Sequence, residues 1–174
     1  MEDVSLGRTT ALGRMIGKPF LIGLAGLMLS AAASNAQTPR QGTFVVGAFN
    51  ANGFSSRPVL QVGAGDEALI QNRFGIGGEL GLAHGGGDTW ATFFLNGSLH
   101  FPKEGTKNGV VPFVSGGYTA FLTGSGGIAA LNVGGGVTYW FKDRKGLLVE
   151  FRDVLAQPLG TKHYWAARIG IAFR

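Results

Sequence analysis

The chain has 174 residues, the length of one domain rather than two. Hydrophobic residues make up 45% of it and charged residues only 14%, against roughly 25% in an ordinary soluble domain, and 31 glycines are more than twice the usual share of roughly 7%. The apolar content excludes a disordered glycine-rich segment, and the absence of cysteine excludes disulfides, thiolate metal sites and cysteine nucleophiles. The formal charge of +5 becomes +4 when residues 1–36 are removed. The remaining basic residues are spread singly, with only Lys142, Arg144 and Lys145 close together, so the pattern is not that of a nucleic-acid binder.

Residues 1–36 have the three parts of a secretory signal. Arg8, Arg14 and Lys18 make a positive start, Phe20–Leu29 (FLIGLAGLML) is the apolar stretch, and Ser34-Asn35-Ala36 reads as a cleavage site before Gln37. The run is shorter than the about 20 residues of a spanning helix. Met15 offers an alternative start, because MIGKPFLIGLAGLMLS is a complete signal opening by itself.

Beyond Gln37 no long helical period appears. Alternating segments of about ten residues recur between turn-forming clusters, as in an all-β barrel. The pattern predicts eight strands, at 43–54, 58–67, 72–84, 90–101, 110–122, 128–141, 146–155 and 163–173. Residues two apart share a strand face. In 72–84, Phe74, Ile76, Leu80 and Leu82 oppose Arg73, Gly75, Gly77, Glu79 and Gly81. In 91–101, Phe93, Leu95, Leu99 and Phe101 oppose Thr92, Asn96, Ser98 and His100. The last three segments alternate most clearly, with Leu147, Val149 and Phe151 opposite Leu148, Glu150 and Arg152. In 110–122 both phases fit, and the reading places Val114, Tyr118 and Leu122 outward. Segment 43–54 is likewise open in phase. Segment 58–67 is the weakest, since Pro58 and Asp66-Glu67 leave few residues to cross a membrane.

A water-soluble sheet would carry bulky charged residues on its polar face. Here that face is mostly glycine, alanine and threonine with isolated charges, which suits the inside of a narrow eight-stranded barrel. The larger apolar face then meets lipid. The expected architecture is an all-β, eight-stranded antiparallel transmembrane barrel over 37–174, preceded by the signal peptide.

The stretch VGGGVTYWFKDRKGLLVEFRDVL…HYWAARIGIAFR resembles the C-terminal half of small outer-membrane barrels in the OmpA/OmpX-like superfamily. Its Gly-rich strand, aromatic pair, short charged turn, EFRD and aromatic-terminated last strand cover 131–174. The resemblance implies a barrel inserted into the bacterial outer membrane by the assembly machinery, with outer-membrane lipid as its surroundings. Such chains end on an aromatic residue, whereas here Arg174 follows Phe173. With a periplasmic N-terminus, the periplasmic turns fall near 68–71, 102–109 and 142–145. The outer loops fall near 55–57, 85–89, 123–127 and 156–162, all short, and no specific protein partner is indicated.

The candidate site is a lumen ion network of Glu79, Glu150, Arg152 and Arg168, with Arg73 as a further neighbour. A last hairpin turning near 159 places Arg168 across from Glu150, and a charge in a narrow lumen needs a partner. Ser98 and His100, with Glu79 on the preceding strand, are the residues a nucleophilic site would use. A barrel deacylase of similar size instead carries its His and Ser in the opposite order on the lipid-facing surface. His84, His100 and His163 lack the spacing of a metal site, and Gly134-Gly135-Gly136 lies within a strand rather than in a phosphate loop, so no cofactor is expected. The sequence thus reads as a non-enzymatic envelope barrel. The alternatives are a narrow pore, a lipid-A-modifying enzyme, and a soluble periplasmic lipocalin-like barrel with large apolar residues facing inward.

Overall fold

The computed structural model describes residues 39–50, 58–103, 108–124, 126–156 and 162–174; the expected signal segment lies outside them. Eight strands follow in chain order: β1 (Arg40–Asn50), β2 (Val59–Ile70), β3 (Phe74–Gly85), β4 (Asp88–His100), β5 (Gly109–Thr123), β6 (Gly126–Lys142), β7 (Lys145–Ala156) and β8 (Lys162–Phe173). Each pairs with its sequence neighbours, and β1 closes the barrel against β8, from Gly42 opposite Phe173 to Asn50 opposite Trp165. Closure leaves no free sheet edge, the condition for a sheet to sit in lipid.

The expected strand count and order hold, with two revisions. The weakest segment, 58–67, is a full strand: β2 runs on to Ile70, and Asp66 and Glu67 lie inside its ladder opposite Gly42 and Gln41. Acidic residues need not end a strand whose far side faces a polar lumen. β1 begins at Arg40 rather than 43, and its partner β2 extends correspondingly, with Arg40 opposite Ala68.

Both chain ends of the barrel lie at one end, here called the terminal end, together with the β2–β3, β4–β5 and β6–β7 connections; the other is the loop end. Gln71 and Asn72 have φ of 53° and 57°, and the Arg73 amide donates to the Ile70 carbonyl at 3.1 Å. Positive φ at both central residues is what a type I′ hairpin turn requires. At the loop end Gly86 and Gly87, with φ of 64° and 94°, connect β3 to β4 directly.

Burial alternates along the strands. Phe74, Ile76 and Leu82 on β3, Leu147, Val149 and Phe151 on β7, and Trp165, Ile169 and Ile171 on β8 are exposed, whereas Glu79, Leu148, Glu150, Arg152 and Arg168 are buried. In β5 Val114 and Tyr118 face outward and Phe113 and Thr119 inward, which settles the open phase. In β1 it is Phe44 and Val46 that face out and Val45 that faces in. At a rise of roughly 3.3 Å per residue and a tilt of about 40°, the stretch from His163 to Phe173 covers about 25 Å, the height of a membrane barrel's apolar band. Phe44, Phe74, Phe101, Tyr139, Phe141 and Phe173 form an exposed aromatic ring at the terminal end, and Phe151 packs edge-on to Trp165 toward the other.

Two expectations follow. Replacing Val149 by Arg should lower folding stability in bilayers by about 2–4 kcal/mol, measured by denaturant titration; an unchanged midpoint would contradict the lipid-facing assignment. A Cβ at Gly117 would lie 2.0 Å from the Leu95 carbonyl oxygen, whereas one at Gly97 meets only the Gly75 carbonyl at 3.9 Å. Gly117→Ala should therefore destabilise the barrel by about 1–3 kcal/mol, while Gly97→Ala is tolerated.

Candidate functional site: the lumen

The lumen is built in layers. Toward the loop end, Val59, Ala83, Phe94, Ala130, Val154, Tyr164 and Ala166 pack as one buried apolar cluster, with Trp90 and Phe121 against it. A second cluster of Val45, Phe113 and Leu148 lies nearer the terminal end. Between them sit the charges.

Glu150 on β7 pairs in register with Arg168 on β8, and their side chains meet with Nη1 3.0 Å from Oε2. Arg168 Nη2 donates to Glu79 Oε2 on β3, from which β8 is separated by β1 and β2. Arg152, two residues from Glu150 on the same face, donates from Nε at 3.0 Å and Nη2 at 2.6 Å to Glu150 Oε1. Both guanidinium groups lie over the Phe94 ring, at 4.7 Å for Arg152 and 5.4 Å for Arg168. All four charged residues are buried. Phe94, fully buried and opposite Glu79 in the β3–β4 ladder, is a functional neighbour that alternation alone left unassigned. Gln61 Nε2 donates to Glu79 Oε1 at 3.4 Å and to Thr92 Oγ1 at 3.3 Å, extending the network.

Long side chains reach one another because glycines stand beside them. A Cβ at Gly47 would lie 2.8 Å from the Arg168 Cγ, and one at Gly63 2.7 Å from the Glu79 Oε1. The charged side chains thus lie across the neighbouring strand instead of filling the axis.

Arg73 does not join the network. The type I′ turn ends β2 and starts β3 at Phe74, so Arg73 belongs to an exposed turn at the mouth of the barrel. Ser98 and His100 do meet a carboxylate, but it is Glu67 and not Glu79. Ser98 Oγ donates to Glu67 Oε1; His100 Nε2 lies 2.9 Å from Glu67 Oε2 and 3.0 Å from Ser98 Oγ. Gly75 on the intervening strand makes room, since a Cβ there would collide with both Ser98 Oγ and Glu67 Oε1. In a nucleophilic relay the carboxylate and the hydroxyl engage different imidazole nitrogens. Here both crowd Nε2, and Ser98 directs its proton to Glu67 rather than to the ring, so the acid does not orient the imidazole from its far nitrogen toward the hydroxyl. Glu67 was missed because an acid next to Asp66 reads as a turn signal.

His84 and His163 lie at the loop end on different strand pairs, His84 with Thr89 at 2.9 Å and His163 with Asp153 at 2.6 Å. Among the described residues no group of three or more metal-ligating side chains comes together. A cavity of about 80 Å³ separates the ion network from the Glu67–Ser98–His100 cluster. It has room for a few waters.

This architecture is a small, closed eight-stranded antiparallel barrel, the fold that the OmpA/OmpX-like resemblance implies. The N-terminal β-barrel domain of Pseudomonas aeruginosa OprF superposes with a TM-score of 0.62 at 17% identity, covering 77% of this chain and 95% of that one. Neisserial surface protein A gives 0.57 at 12%, covering 77% and 94%, and OprG from Pseudomonas aeruginosa 0.52 at 13%, covering 78% and 95%. A designed transmembrane β-barrel also matches, at 0.58 and 16%. At such identities the likeness is one of fold. No family model and no curated protein matches the sequence.

Removing one member of the network strands its partners. Glu150→Ala leaves two buried guanidinium groups with Glu79 alone and should cost about 3–5 kcal/mol, read as a lower denaturation midpoint. Replacing Glu79, Glu150, Arg152 and Arg168 together with apolar residues of similar volume should recover most of that loss; a neutral Glu150→Ala would show that the network carries no stability.

Proposed function

We propose that this protein is a non-enzymatic integral barrel of the bacterial outer membrane, a structural or surface component of the envelope, delivered by its N-terminal signal and inserted by the outer-membrane assembly machinery. The observation that carries this reading is the inversion of a soluble barrel's faces. Large aliphatic and aromatic side chains form the outer wall, and buried, mutually paired charges form the inner one. Such a wall in water would expose far more apolar surface than a soluble monomer tolerates. A lipocalin-like binder needs its large apolar residues inside, lining a ligand cavity; here the inner apolar residues pack against one another.

A structural role is favoured over transport by the layering, in which an apolar cluster packs inside the bore on the loop side of the ion network. Catalysis is disfavoured by the Nε2-centred geometry of Ser98, His100 and Glu67.

Heat-modifiability tests the proposal. Protein recovered from an outer-membrane fraction should migrate faster on a gel before boiling than after, and in planar bilayers it should give no steady conductance. Recovery from the soluble periplasm without a mobility shift would overturn the membrane reading. A stable open level would replace the structural role with that of a pore.

A further inference from the structure

One acidic side chain departs from the apolar rule of the outer wall. Asp66 on β2 is in phase with the exposed Leu60 and Val62 and out of phase with the buried Gln61, so it faces outward, its side chain 38% exposed. Its ladder neighbours are Gly42 on β1 and Gly78 on β3, and Ala64 and Ala68 lie two residues away on its own strand. All four wall positions that adjoin the carboxylate thus carry only a hydrogen or a methyl group. A Cβ added at Gly42 would meet nothing nearer than the Gly65 carbonyl at 3.9 Å, so the space beside Asp66 is open. The exposed Phe44 and Ile76 stand one position further out. The wall therefore has a recess with an acid at its floor.

Gly42 also pairs with Phe173, which puts the recess at the level of the terminal-end aromatic ring, where headgroups meet hydrocarbon. An ionisable side chain on a lipid-facing wall is costly and persists where it has a partner. Arg40 supplies one charge, its Nε 3.7 Å from Asp66 Oδ2, a separation longer than a hydrogen bond. The carboxylate, with about four lone-pair sites, keeps room for N–H donors from outside the protein. With Arg40 beside it the patch is close to neutral, which suits a zwitterion better than an anion.

We propose that this recess binds the headgroup of phosphatidylethanolamine, with the ammonium seated on Asp66, an inference that rests on the barrel spanning a membrane. A primary ammonium brings three N–H donors to the carboxylate and is small enough to enter between two glycines. The quaternary ammonium of phosphatidylcholine is bulkier and has no N–H to donate. Phosphatidylglycerol carries no cation for the acid to meet.

Native mass spectrometry of the folded barrel in a maltoside detergent, titrated with each of these three lipids, tests the site. Phosphatidylethanolamine is expected to bind at least about tenfold more tightly than the other two. Asp66→Asn keeps the shape and removes the charge, whereas Gly42→Leu keeps the charge and fills the recess. Each variant should lose the preference, and the gel shift on boiling verifies that each one folds. A folded wild-type barrel without the preference, or a folded variant that retains it, overturns the site and leaves the membrane reading intact. A wild-type chain with neither a gel shift nor lipid binding overturns both.

Discussion

Eight strands closed on themselves leave a bore of nearly fixed width, and every inward side chain must share it. That limit explains why the inner wall alternates glycine and alanine with a few long charged residues. Each long side chain occupies the space that a neighbouring strand leaves by carrying glycine, as Arg168 does over Gly47 and Glu79 over Gly63. At these strand positions glycine is a packing requirement of the lumen rather than a sign of flexible chain.

The same limit makes the lumen charges interdependent. In a space this narrow water is scarce, so a guanidinium must find its carboxylate on its own strand or on another strand of the wall. Arg152 uses the first option with Glu150, and Arg168 bridges Glu150 on β7 and Glu79 on β3. A buried pair of this kind contributes little net stability against an apolar replacement, yet losing one partner is costly. Its structural value lies in register, since Arg168 meets both acids only when β8 is aligned with Glu150 opposite it. A slip of one residue would turn the charge toward lipid.

Outside the barrel the constraint reverses, and only apolar side chains suit the middle of the wall. The polar residues that remain are paired near the rims, Asp66 with Arg40 and Asp153 with His163. At the terminal end Arg174 turns back over Trp140 and the β6–β7 turn, leaving Phe173 as the last aromatic residue on the outer wall. The charge of Arg174 thus coexists with the aromatic wall position of Phe173 because the two side chains point in opposite directions.

Alternation by twos was enough to read the strand number, the outward faces of β3, β4, β7 and β8, and the opposition of Glu150 and Arg168, because each depends only on local period and on one short hairpin. It failed where contacts cross strands distant in sequence. Phe94 beneath two arginines and Glu67 reaching Ser98 over Gly75 both depend on how eight strands close. Arg73 shows the reverse error: by period it belongs with Glu79, but a turn with two left-handed residues removes it from the strand. Period follows from the pleat of a single strand and is written in the sequence. Which side chains from different strands share a layer follows from tilt and closure, and these exist only once the barrel is complete.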